Sequence, residues 1–267
     1  MKIATWNVNS VKTRLAAITA WLKEAAPDVV ALQEIKSTEE TFPTEAFGDF
    51  GYNVAVFGQK SYNGVALLAK RPFEDVTKGL AGDGEGEARY IEALVPGDEG
   101  MVRVASIYAP NGNGPDGIHF DPAKFAHKLD WMERLRARAE KLLTYEEPQA
   151  LMGDFNVIPK DEDCYDPAFW SKNALTQPQA RAALQKIENL GFTEAFRVKH
   201  AEPEAYSFWD YRDGVWGGWK KNRGVRIDLA LLSPQAFDRL EDCAIDKAVR
   251  GRPKPSDHAP LWCRLKA

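Results

Sequence analysis

The apolar runs of this chain repeatedly stop on polar groups that a core would reject. Ala4–Trp6 runs into Asn7, and Val29–Leu32 into Gln33-Glu34. Val102–Ile107 gives way to Tyr108-Ala109-Pro110-Asn111, and Ala150–Met152 to Gly153-Asp154-Phe155-Asn156. Asp228 sits inside Arg226-Ile227-Asp228-Leu229-Ala230-Leu231-Leu232, and Ser256-Asp257-His258-Ala259-Pro260 precedes the last apolar run. Short apolar runs of this kind are strands, and helical patterns lie between them, so the chain reads as α/β. In such folds the loops at one end of the strands are where sites are assembled.

Three helices are readable between the strands. The first spans about Val11 to Ala26, with Leu15, Ile18 and Leu22 on one face. The second begins at Asp121 as N-cap with Pro122 in its first turn, and carries Phe125, Leu129, Met132, Leu135 and Leu142 on one side. The third follows Thr176, with Pro178 near its start and Gly191 as its stop. Further strands are expected at Asn53–Phe57, Val65–Ala69, Tyr90–Val95, Ser207–Trp209 and Pro260–Leu265. The pair flanking Gln59–Asn63 looks antiparallel, which argues against a purely parallel sheet. Two sheets packed face to face with helices outside fits better. No linker or composition shift divides residues 1–267, so one domain is expected.

Composition narrows the functional classes. No window approaches the apolar length of a membrane-spanning helix, and the N-terminus lacks the apolar core of a signal peptide. Cys164, Cys243 and Cys263 have no zinc-site spacing and read as reduced thiols of a cytoplasmic protein. The 35 Lys and Arg against 39 Asp and Glu give a net charge of −4, a weak argument against a nucleic-acid partner unless the basic residues cluster.

Taken singly, the polar residues have ordinary readings. Glu34 could be a surface carboxylate, and Gly153-Asp154-Phe155-Asn156 a turn whose side chains cap backbone N–H groups. Asp228 is harder to dismiss, because an ionised carboxylate among apolar neighbours is costly without a partner. His258 could be that partner, held in one tautomer, or the two could form a plain structural hydrogen bond. Together the residues fit phosphoester hydrolysis. Carboxylate and amide oxygens can hold Mg²⁺, a carboxylate can activate water, and Asn, His and Tyr donors can stabilise the crowded phosphorus.

The pattern Trp6-Asn7-Val8-Asn9, Leu32-Gln33-Glu34-Ile35-Lys36, Gly64-Val65-Ala66-Leu67-Leu68, Tyr108-Ala109-Pro110-Asn111, Gly153-Asp154-Phe155-Asn156, Arg226-Ile227-Asp228 and Ser256-Asp257-His258-Ala259-Pro260 resembles the exonuclease III family of abasic-site endonucleases. These belong to the endonuclease/exonuclease/phosphatase superfamily. Ser207-Phe208-Trp209-Asp210-Tyr211-Arg212 and Asn222-Arg223-Gly224 resemble its DNA-directed members in particular. The resemblance implies a four-layered α/β sandwich of the deoxyribonuclease I type, two packed mixed β-sheets flanked by helices. It also implies Mg²⁺-dependent hydrolysis of the phosphodiester 5′ to abasic sites, leaving a 3′-hydroxyl, with Mn²⁺ as a substitute metal. A 3′→5′ exonuclease and 3′-end cleaning would accompany it. Implied partners are double-stranded DNA with abasic sites or blocked 3′ ends, the chain acting as a cytoplasmic monomer, nucleoid-associated if bacterial.

By position, the resemblance makes Glu34 the principal metal ligand, with Asn7 and Asp257, and with Asp154, Asn156 and His258 close to the metal. Tyr108, Asp154, Asn156, Asp228 and His258 form the catalytic set, the choice of base and acid among Asp154, His258 and Tyr108 being open. Asn111, Phe208, Trp209, Asn222, Arg223, Lys220 and Lys221 would contact substrate. By strand alternation, Phe208 and Trp209 should split, one inward and one toward the pocket. Lys220, Lys221, Arg223 and Arg226 form one basic cluster, and Arg250, Arg252 and Lys254 another; both read as solvated surface or as a phosphate-binding face. Arg134, Arg136, Arg138 and Lys141, interspersed with glutamates, read as a solvated helix face. Two other readings compete, a superfamily phosphatase acting on small phosphoesters and a catalytically silent module that binds damaged DNA.

Overall fold

Alternation along the first strand already sorts the molecule into layers. In the computed structural model, which describes residues 1–82, 86–211 and 218–266, Ile3 points between two sheets while Ala4 and Trp6 point out to a helix. The strands are β1 (Lys2–Asn7), β2 (Val29–Gln33), β3 (Asn53–Phe57), β4 (Val65–Ala69), β5 (Glu74–Lys78), β6 (Tyr90–Gly97), β7 (Gly100–Tyr108), β8 (Gln149–Asp154), β9 (Thr193–Glu194), β10 (Asp228–Leu232), β11 (Leu240–Ile245) and β12 (Leu261–Leu265). They form one sheet in the order β11-β12-β1-β2-β4-β3 and a second in the order β5-β6-β7-β8-β10-β9. Each sheet has one parallel pair, β1–β2 and β7–β8, among antiparallel neighbours.

Between the sheets lie Val29, Ala31, Val65, Leu67, Ala93, Val104, Ala150, Met152, Ala230 and Leu232. Helix α1 (Val11–Ala25) covers the outside of the first sheet through Ile18, Trp21 and Leu22. A short α2 (Thr44–Gly48) joins that layer through Phe47. The outside of the second sheet is covered by α3 (Pro122–Leu143), α4 (Pro167–Trp170) and α5 (Pro178–Glu188). Short α6 (Ala195–Lys199) and α7 (Pro234–Phe237) pack near β10. This is the expected four-layered α/β sandwich. Among the described residues, no helix is long and apolar enough to cross a membrane.

Most expected elements stand within two residues of their expected bounds. Asp121 caps α3 through Ala123 N and Lys124 N, with Pro122 in its first turn. The departures have physical causes. Strands β5 and β11 are sheet edges, and β5 reads Glu-Asp-Val-Thr-Lys with mostly exposed side chains, so alternation says little there. The strand expected at Ser207–Trp209 is reduced to bridges of Phe208 to Val225 and to His258. Helix α5 stops at Glu188 with Asn189 as its C-cap, ahead of Gly191. Arg138 is not on a solvated face. It reaches the fully buried Glu92 on β6, beside Arg103 and Tyr90.

Candidate active site

The sheet topology gathers the polar strand ends at one end of the sandwich. Parallel β1 and β2 deliver Asn7 and, just beyond Gln33, Glu34. Parallel β7 and β8 deliver Tyr108 beside Asp154. Strand β10 runs antiparallel to β8, so its first residue, Asp228, lies opposite Asp154. Strand β12 runs antiparallel to β1, which returns Asp257 and His258 to the same end. The space between the sheets becomes polar in steps. Gln33 Nε2 donates to Ser106 Oγ at 2.9 Å across the interface, and Thr5 Oγ1 donates to Gln33 Oε1.

Local backbone shapes the approach. Glu34 and Asn156 both have left-handed φ, 48° and 49°, which is uncommon outside glycine and tends to mark functional sites. Gly153 lies so close to β7 that a Cβ would meet Ile107 O at 1.9 Å, so only glycine lets Asp154 follow β7 this tightly.

The carboxylates are held by amides. Asn7 Nδ2 donates to Glu34 Oε1 and to Asp154 Oδ2, both at 3.0 Å, while Asn7 Oδ1 accepts from Asn9 N. As placed, Asn7 bridges the two carboxylates as a donor. Asn156 N donates to Asp154 Oδ1 at 2.9 Å, and Asn111 Nδ2 donates to Asn156 Oδ1 at 3.0 Å. His258 Nδ1 lies 2.8 Å from Asp228 Oδ2, and its Nε2 is 3.8 Å from Asp154 Oδ2. Trp6 Nε1 donates to His258 O, and Ser256 Oγ donates to Asn7 O, locking the last loop onto β1.

Charge is unevenly placed. Burial pushes Asp154 up to about 7; His258 opposes this, and the nearby Asp228 and Glu34 add to it. For His258, burial works against the cation, but the Asp228 carboxylate outweighs it and lifts the imidazole to about 10. Burial would also raise Glu34, yet Lys36, 3.0 Å away, and the Asn7 amide bring it below the usual range. Tyr108 is driven well above its ordinary value by burial and by the charges of Glu34 and Asp154, so its hydroxyl stays protonated.

Glu34, Asp154 and Asp257 supply more carboxylate charge than Lys36 and His258 balance, and a divalent cation would relieve the excess. Among the described residues no three His, Cys, Asp or Glu side chains form a ready cage. Glu34, Asp154, Asn156, Asp257 and His258 all line a cleft of about 190 Å³ with Tyr108 and Asn111. Asp228 stands behind His258, fully buried.

The lining of the cleft also includes the apolar side chains of Trp170, Leu175, Phe208 and Ile227. The expected split of the aromatic pair is seen. Phe208 lines the cleft and packs on the His258 ring, centroids 4.9 Å apart, whereas Trp209 is fully buried against Tyr206 and Trp219. Trp209 is thus not at the cleft. Asn222 is not there either; its Oδ1 accepts from Trp209 Nε1 and Lys247 Nζ. Lys220, Lys221 and Arg223 are exposed and line no part of the cleft, and Arg212 lies outside the described residues.

Two basic residues expected at the surface are internal. Arg226 is buried between Asp163, at 2.8 Å, and Glu194, at 3.1 Å. Arg250 is buried and donates to Trp209 O at 3.0 Å. Sequence reasoning missed Lys36, Asn113, Trp170, Leu175 and Lys128. Lys128 was legible in one respect. It occupies an apolar-face position of α3, three residues after Phe125 and four before Met132, and it is fully buried.

The endonuclease/exonuclease/phosphatase family matches residues 4–258. Exodeoxyribonuclease III of Haemophilus influenzae is 32% identical over 274 residues, covering 100% of both chains. An AP endonuclease from Archaeoglobus fulgidus superposes with a TM-score of 0.92 at 36% identity, over 100% of each chain. The 3′ phosphatase NExo from Neisseria, solved as a variant bound to a product DNA hairpin, also superposes at 0.92, with 35% identity and 100% of each chain covered.

Proposed function

This chain belongs to the endonuclease/exonuclease/phosphatase family as a nuclease of the exonuclease III type, and we propose that it is a divalent-metal-dependent DNA repair enzyme. Its main reaction is hydrolysis of the phosphodiester 5′ to an abasic site, leaving a 3′-hydroxyl. Removal of blocking groups from 3′ ends and 3′→5′ exonuclease action follow from the same chemistry. The observation that carries this reading is Asp154, joined by Asn7 to Glu34 and facing a His258 that Asp228 holds cationic.

Asp154, whose proton affinity lies near neutrality, takes a proton from the attacking water. His258 keeps its proton and donates to a phosphate oxygen, where negative charge accumulates in the transition state. Asn111 and Asn156 orient around the same phosphate, and the protonated Tyr108 hydroxyl donates to it or to the departing oxygen. A bound Mg²⁺, held by Glu34 with help from Asp257 or Asp154, would polarise the phosphate and offset charge on the leaving oxygen.

Phe208, with Trp170, Leu175 and Ile227, offers an apolar surface to a sugar that carries no base, whereas an attached base would have to be accommodated there. The exposed Lys220, Lys221 and Arg223 would act at a distance on flanking phosphates. The 3′-phosphatase activity carried in the name of the Neisseria structure favours including 3′-end cleaning.

The test is incision of a labelled duplex with one abasic-site analogue, in Mg²⁺ and in EDTA, beside an undamaged duplex and one ending in a 3′-phosphate. Nicking 5′ to the lesion only with Mg²⁺ is the expected result. Release of 3′-phosphate or small-ester phosphate without nicking would make the enzyme a phosphatase of the same fold.

A further inference from the structure

Lys128 is the one fully buried lysine on α3, and the reaction as derived above does not use it. Among the described residues no carboxylate lies within ion-pair distance of its ammonium; Asp154 acts on it only through space, and burial pushes it down to about 7. Instead, Nζ donates to two main-chain carbonyls, Asn111 O at 3.1 Å and Asn156 O. Those carbonyls belong to two loops with no sequence neighbourhood in common, one leaving β7 and one leaving β8. The side chains of the same two residues meet on the cleft side, Asn111 Nδ2 donating to Asn156 Oδ1.

The aliphatic stem is fitted as closely as the amine. Gly112 has a φ of 88°, and a Cβ there would lie 3.2 Å from Lys128 Cδ and 3.1 Å from Ala174 Cβ. Further hydrogen bonds tie the Asn111 loop to the 173–175 segment, with Asn113 Nδ2 donating to Asn173 Oδ1 and Ala174 N to Asn113 Oδ1. Burying an amine without an anion is costly, and an apolar residue at this helix position would complete the α3 face more cheaply. Against that cost stand the two main-chain carbonyls, which an apolar residue would leave without a donor. An amine donates to both whether or not it is ionised.

We propose that Lys128 is a positioning residue, clamping the Asn111 loop to the Asn156 loop and so setting the Asp154–Asn156–Asn111 constellation from behind. The inference deepens the nuclease reading and rests on it for its kinetic consequence. It does not require Lys128 to touch substrate.

The test is Lys128→Met, which keeps the stem and removes the donor. On abasic duplex, kcat should fall about 100-fold, the scale of a small misplacement of reacting groups, with KM and duplex affinity nearly unchanged. Thermal stability should change little, because relief of the amine's desolvation cost is set against two carbonyls left without a donor. Amide hydrogen exchange, which needs no activity, should speed up together in residues 109–113 and 154–157, with α3 unchanged. Wild-type kcat in a folded variant, or a loss that only tracks its folded fraction, would overturn the proposal. If the wild-type protein does not cut abasic duplex, the nuclease reading fails and exchange alone decides the clamp. Coordinated loosening of both loops supports it, and unchanged exchange overturns it.

Discussion

Two groups of buried charges lie close together in this molecule and are built on opposite rules. Below the cleft, Asp163 and Glu194 face Arg226 and Arg197, two anions against two cations. Arg226 is 2.8 Å from Asp163 and 3.1 Å from Glu194. At the cleft, Glu34, Asp154, Asp228 and Asp257 face Lys36 and His258, with Lys128 acting on Asp154 from behind and amides filling the gaps, so that among these groups anions outnumber cations. Burial acts on both groups, with different results. Asp163 ends below its ordinary value because Arg226 and Arg197 outweigh burial, whereas Asp154 ends above its own, at about 7. Balanced buried charge is framework. An uncompensated excess of one sign is unstable unless something arrives to neutralise it, and that is the mark of a site.

The sharpest test of the contrast compares one carboxylate from each group. Asp154→Asn should cut turnover on abasic duplex by about 1000-fold, the scale of a lost general base, while DNA affinity holds. Near-wild-type turnover would remove Asp154 from the chemistry. In the balanced group the effect should fall on stability. Asp163→Ala leaves Arg226 buried against too little negative charge and should cost about 3–5 kcal/mol in denaturant unfolding. The turnover of the molecules that remain folded should persist. Equal loss of stability and of activity per folded molecule in both variants would erase the distinction.

A divalent cation should distinguish the two groups directly. Mg²⁺ at about 100 times its dissociation constant should stabilise the wild-type protein by about 2.7 kcal/mol. Glu34→Ala should lose most of that gain, and Asp163→Ala none of it, as read from melting temperature with and without EDTA. A smaller effect follows from proton linkage. Asp154 binds its proton more tightly folded than unfolded, so its contribution to stability is full below pH 3.8 and is lost as pH rises through about 7. In EDTA, the stability of the wild type relative to Asp154→Asn should therefore decline between those values. A flat difference would place Asp154 in ordinary solvent. The weakest effect concerns the exposed cations. Neutralising Lys220, Lys221 and Arg223 together should lower the salt slope of duplex binding by at most about three units, and an unchanged slope would take them off the DNA path.

Much of the cleft is legible in order along the chain. An apolar run ending on Asn7, Glu34, Asp154 or His258 is a local signal, because alternation and strand length are set within a few residues. The layers follow for the same reason, with Ile3 inward and Trp6 outward on nearby positions of one strand. Edge strands such as β5 escape because one exposed row of polar side chains carries no alternation.

Charge could not be assigned in the same way. Arg226 and Arg250 read as surface cations beside Lys220 and Lys254, yet both are buried, one on Asp163 and Glu194 and the other on the Trp209 carbonyl. Lys128 stands out as a break in an apolar helix face, but nothing near it in sequence reveals that its amine joins residues 111 and 156. Which side chains stand at strand ends is written into short stretches of chain, since backbone geometry imposes it over a few residues. Which buried charges are matched and which are left in excess emerges only once the sheets have closed on each other. Electrostatic partners are chosen by distance in space, and here they come from strands and helices far apart in the chain.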